Sequence, residues 1–191
     1  MNICVAAWYY HKSLMQTLQN CYPVCWVCHR PPPAAEIDLF DHSFNNIPNV
    51  GLEFGCYDWY LKNRWNGGSV LFTHDDNEIT EEALDQIALI PHDQCFLFPS
   101  LEVAEANGKA HGRAFFCSEK LLRRLKGDGG FWYNEAPETS VAIPATSAEA
   151  PNYHNAGILT FLAWLKSLPA EFTANQVAVV PGLKTGYRGR L

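Results

Sequence analysis

"SVLFTHDDNEI", Ser69 to Ile79, changes character in its middle. Val70 to Thr73 are apolar or β-branched and read as a buried strand, whereas His74, Asp75, Asp76, Asn77 and Glu78 are all polar. A "GG" turn precedes the stretch and "ITEEALDQIALI" follows it with a helical pattern. The polar cluster therefore belongs at a strand's carboxyl end, where open α/β sheets bind ligands. Two adjacent carboxylates repel, so they need a cation, hydrogen-bond donors or open water. Two readings follow and are compatible. In one, Asp75, Asp76 and Asn77 cap the next helix. In the other, Asp76, with Asp75 or His74, holds a divalent cation that bridges ligand phosphates, a role suited to Mg2+ or Mn2+.

The flanking chain repeats the alternation. "NICVAAW" (2–8) reads as a strand, and "HKSLMQTLQNC" places Leu14, Leu18 and Cys21 on one helical face. "PVCWVCH" is strand-like, "RPPPAAEI" is a loop, and "CYDWYLKNRW" has a helical period through Tyr57, Tyr60, Leu61 and Arg64. Later, "QCFLFPS" reads as a strand and "SEKLLRRL" as a helix with Ser118 as N-cap. "AGILTFLAWLKSL" reads as an amphipathic helix and "NQVAVVPG" as a final strand. Strand and helix in alternation predict an α/β fold, a mixed, mostly parallel sheet flanked by helices, in one domain over residues 1–191. Residues 134–152 hold Pro137, Pro144 and Pro151 among small residues and are expected to form a mobile loop over a site.

Composition narrows the function. The 191 residues are 48% apolar and carry a formal charge of -6, which gives no electrostatic case for nucleic-acid binding. No apolar run approaches the roughly 18 residues of a transmembrane helix, and the N-terminus lacks a signal-peptide pattern, so a soluble, cytoplasmic protein is expected. Seven cysteines in mostly strand-like surroundings read as reduced thiols. "CWVCH" (25–29) matches a haem-attachment string, yet it lies in a strand and no second ligand pair for zinc is evident. Neither group is expected there.

"NVGLEFGCYDWYLKNRWNGGSVLFTHDD" resembles the middle of a GT-A type, nucleotide-sugar-dependent glycosyltransferase: an N-x-G-x-E turn, a helix, and a hydrophobic strand ending in acids. "HGRAFFCSEKLLRRL" is similar to the strand and helix that floor the sugar site in such enzymes. The pieces span residues 2 to about 125. The resemblance implies a GT-A-like catalytic domain using Mn2+ or Mg2+ to transfer a hexose from a nucleotide diphosphate sugar, UDP-sugar favoured, to a glycan or other hydroxyl acceptor. In place of D-x-D this chain has His74-Asp75-Asp76, so Asp76 is assigned to metal and Asp75 to ribose or metal.

Further roles follow from the resemblance. Ala7, Trp8 and Tyr9 would seat the base, or serve as strand core. Asn49 and Glu53 would hydrogen-bond the ligand or shape a turn. His111 would be a ligand or metal contact and His154 would complete the metal shell, or either would be a structural histidine. Lys184, Arg188 and Arg190 would close over the diphosphate. Glu135 or Glu138 would serve an inverting enzyme as base. At 191 residues the chain is short for this class, and a longer multidomain protein is also compatible with it. Two rivals remain: a metal-dependent nucleotidyl- or phosphotransferase, and a non-catalytic nucleotide-sugar or carbohydrate-binding module whose six Trp and eight Tyr supply stacking surfaces.

Overall fold

The computed structural model describes residues 1–10, 12–31, 44–48, 51–97, 114–131, 160–161, 163–173 and 180–184. Its strands are β1 (Asn2–Ala7), β2 (Val24–Cys28), β3 (Asn45–Asn46), β4 (Val70–His74), β5 (Glu78–Ile79), β6 (Phe96–Leu97), β7 (Ala114–Cys117) and β8 (Leu183–Lys184). The helices used below are α1 (Lys12–Cys21), α2 (Leu52–Asn63), α3 (Glu81–Ala88) and α4 (Glu119–Gly127). Six strands form one sheet in the order β3-β2-β1-β4-β7-β6. β3, β2, β1 and β4 are mutually parallel, and β7 runs against both its neighbours. The expected mixed, mostly parallel α/β sheet is present.

Both faces are covered, which is why β1 and β4 read as nearly continuous apolar runs. On one face Leu14, Met15 and Leu18 of α1 meet Ala83, Leu84 and Ile87 of α3 over Ile3, Val5 and Leu71. On the other, α2, α4 and helical residues 163–167 bury Phe54, Tyr57, Leu61, Leu121, Leu125 and Trp164 against Cys4, Phe72 and Phe115. Phe72 and Phe115 are cross-strand partners with stacked rings 5.1 Å apart. Burying such a ring contributes about 1.5–3 kcal/mol, so the strand that carries the acidic cluster stands on a rigid floor.

α2 starts earlier than its period suggests. Gly51 (φ 78) and Leu52 (φ 50) are both left-handed, and the carbonyl of Leu52 accepts a 2.7 Å hydrogen bond from His29 Nε2. A branched residue with positive φ costs about 1 kcal/mol or more; the histidine holds it. At the far end Asp58 accepts from Lys62 Nζ at 2.7 Å and from the Phe131 amide at 2.9 Å. Gly130 (φ 96) packs so closely there that a Cβ would lie 2.1 Å from Asp58 Oδ1, which explains the last glycine of "GDGG".

One local expectation about helix caps holds and one changes. Ser118 caps α4 as read, accepting from the Leu121 amide at 3.3 Å. α3 is capped by Thr80, whose hydroxyl accepts from the Ala83 amide at 3.2 Å, and not by Asp75, Asp76 or Asn77. The capping reading of the acidic cluster is overturned because β5 intervenes, pairing antiparallel with β8. Residues 175–179 of "NQVAVVPG" lie outside the described residues; past a turn at Pro181 and Gly182 the chain forms β8 at Leu183–Lys184.

In "CWVCH", Cys25 belongs to the α2 side of the sheet and Cys28 to the α1 side. Residues three apart on a strand point to opposite faces, so the two thiols cannot share a zinc ion or the edge of one haem.

Candidate functional site at the carboxyl edge of the sheet

The chain leaves β1 for β2 and β3 on one side, then returns to β4 on the other, so the strand order reverses between β1 and β4. Loops diverge at such a point and open a crevice beyond the strand ends. Here those ends are Ala7-Trp8 and His74-Asp75.

Asp75 ties the two together. Its amide donates to the Ala6 carbonyl at 3.2 Å, extending the ladder by one bond. Its Oδ2 accepts from the amides of Trp8 (2.8 Å), Tyr9 (2.6 Å) and Tyr10 (2.6 Å). Three successive amides turned toward one anion form a nest, and Tyr10 adopts φ 60 to complete it. Asp75 is wholly buried, and its Oδ1 faces His74 Nδ1 at 3.4 Å. Ribose or metal contact was expected of it; the structure instead makes it the organiser of the β1 loop, because one oxygen is saturated and neither meets solvent.

Asp76 is nearly buried, and its Oδ1 lies 2.9 Å from His74 Nδ1. Asn77 closes the turn, its amide donating to the His74 carbonyl at 3.2 Å and its side chain to Thr73 Oγ1 at 2.9 Å. Burial favours a neutral His74 ring, but the Asp76 hydrogen bond and the charges of Asp75, Asp76 and Glu53 outweigh it and raise the pKa to about 9. At neutral pH the turn thus holds an imidazolium among carboxylates. A pKa raised on folding stabilises fully below the usual 6.5 and is lost as pH rises through about 9. We expect the metal-free protein to lose on the order of 2 kcal/mol between these limits that a His74→Gln variant does not lose, read from denaturant midpoints at each pH. Parallel slopes would show that the ring is neutral in the folded protein.

An aromatic shelf borders the acidic turn. Trp8 and Tyr9 are half-buried, and the Tyr9 ring meets His74 edge-on at 5.7 Å. Ala7 is packed in the core and offers no side chain to a ligand, so its place in the base seat is withdrawn. Glu53 is buried in the first turn of α2, near enough to act on His74, and complements the positive end of that helix. β8 returns the chain to the site: Lys184 Nζ lies 3.7 Å from Glu78 Oε2.

Sequence alone missed Arg30, which follows β2 at this same edge; its guanidinium carbon lies 5.4 Å from the Trp8 ring centre and 5.8 Å from that of Tyr10. Its signal was its place just past a strand's carboxyl end, obscured by the prolines after it. Asn49, His111, Glu135, Glu138, His154, Arg188 and Arg190 lie outside the described residues, as does the 134–152 segment. A surface depression of about 450 Å³ lined by Gln19 to Val24 lies at the opposite end of β2 and shares no residue with this site.

Among the described residues, no three His, Cys, Asp or Glu side chains converge on a metal-sized position, and no helix is long and apolar enough to cross a membrane. A hard cation at Asp76 would therefore be completed by ligand phosphates and water, an arrangement usual for Mg2+. No protein-family model matches the chain, and no curated protein matches it in sequence.

Proposed function

We propose that this chain is a metal-dependent glycosyltransferase that moves a hexose from a nucleotide diphosphate sugar to a hydroxyl acceptor. The observation that carries this reading is the carboxylate of Asp76 at the β1/β4 switch point beside a shelf of Trp8 and Tyr9 fixed by Asp75. That juxtaposition suits a ligand with a flat base at one end and phosphates at the other. Asp76 is the residue that would hold Mn2+ or Mg2+, and such a cation, when bound, stabilises the charge of a departing diphosphate. Asp75 keeps the shelf in place, and Asn77 holds the turn that presents Asp76. The imidazolium of His74 offsets the carboxylate charge that would otherwise repel phosphate. Lys184 stands beside Glu78 and supplies further positive charge, and Arg188 follows it in sequence.

A second reading, a nucleotide-sugar-binding module that needs no metal, draws on the His74–Asp76 pair, which already neutralises Asp76. Calorimetric titration with UDP, GDP and CMP, with and without Mn2+, separates the two. The transferase reading expects a diphosphate to bind at least about tenfold tighter with Mn2+, and release of the diphosphate from its hexose conjugate. Equal affinity without metal and no turnover would favour the module. Failure to bind any nucleotide would remove both.

A further inference from the structure

Arg30 is exposed and, among the described residues, makes no ion pair. It is nevertheless held in place. Its carbonyl accepts from the Tyr10 hydroxyl, and its guanidinium lies over the rings of Trp8 and Tyr10 within cation–π range. Tyr10 and Trp8 are in turn fixed by Asp75. An exposed surface arginine ordinarily spreads over many rotamers, whereas one docked on two rings presents its donors in one direction.

The strand order says what those donors meet. Across the carboxyl edge the sequence of groups is Arg30 after β2, the aromatic shelf after β1, and Asp76 after β4. Adjacent strands are about 4.8 Å apart, so β2 and β4 are separated by roughly 10 Å. Building on the nucleotide-sugar reading, phosphates drawn to Asp76 leave the nucleoside extending across β1 toward β2. The base then ends at Arg30.

We propose that Arg30 reads the nucleobase, its forked N–H groups donating to ring carbonyl oxygens. Uracil and guanine present such acceptors; adenine carries an amino group at the equivalent edge and no carbonyl. Arg30 is thus a specificity-determining residue, separate from the acidic turn.

The test compares UDP, ADP and uridine binding, with Mn2+, to the full chain and to its Arg30→Ala and Arg30→Lys variants. Thermal midpoints confirm that each variant is folded. The unaltered chain should prefer UDP to ADP by roughly 10- to 100-fold. Arg30→Ala should bring that preference within about threefold and weaken uridine as much as UDP, with Arg30→Lys between, since an ammonium lacks the fork. An undiminished UDP preference in Arg30→Ala overturns the assignment alone. Weaker UDP with unchanged uridine also overturns it, placing the contact at phosphate. If the unaltered chain binds no nucleotide, both the assignment and the reading beneath it fall.

Discussion

Replacing Asp75 with alanine is expected to destabilise the protein by about 3–5 kcal/mol, the largest stability effect anticipated for a residue of the site. The carboxylate is completely buried and receives three backbone N–H groups in succession. Removing it leaves donors whose desolvation costs about 1–3 kcal/mol each when unmet, less where the loop can let water in. It also leaves Tyr10 in a left-handed conformation with nothing to hold it there. Asp75→Asn keeps the shape and one acceptor oxygen but loses the charge, so it should fall between. Urea denaturation gives both values, and for a chain of this size the alanine variant should melt roughly 10 °C lower. If it came within about 0.5 kcal/mol of the unaltered protein, ordinary for a surface change, the clasp would not be what organises the β1 loop.

Asp76→Ala is expected to do the reverse: a modest loss of stability, and a loss of Mn2+-dependent nucleotide affinity of roughly a hundredfold or more, near 3 kcal/mol. Its side chain takes no part in the strand ladder and pairs with His74 Nδ1 at 2.9 Å. His74 would keep the nearby Asp75 charge, so the turn should survive. The Mn2+ dependence is the decisive quantity, because a purely structural pair would give equal affinities with and without metal in both proteins. Should Asp76→Ala unfold while the unaltered chain ignores Mn2+, the pair is a structural element and the cation assignment is lost.

The two aspartates show what local sequence carries and where it stops. Val70 to Thr73 followed by five polar residues was enough to locate a strand end, and Leu14 with Leu18 and the Ser118 cap were enough to locate helices, because each signal is contained in a few residues. Which neighbouring carboxylate turns inward was not legible. That depends on Trp8, Tyr9 and Tyr10, more than sixty residues away, offering their amides together. The same limit explains Thr80: the acids were credited with a cap because nothing nearby reveals that Glu78 and Ile79 pair with Lys184 and Leu183. Arg30 looked like a loop charge before three prolines until strand order placed it opposite Asp76.

The β5–β8 pair bears on how the site is assembled during synthesis. It joins the acidic turn to residues roughly a hundred positions later in the chain. Contacts of such sequence separation form late, since loop closure must precede the reward. β1, β2 and β4 can associate while the chain is still emerging from the ribosome, and Asp75 can take hold of the β1 loop at that stage. The flank of Asp76 stays open until Leu183 and Lys184 arrive. A nascent chain would therefore acquire its scaffold well before this rim closes, and anything that recognises the finished rim would bind only chains extended past Lys184.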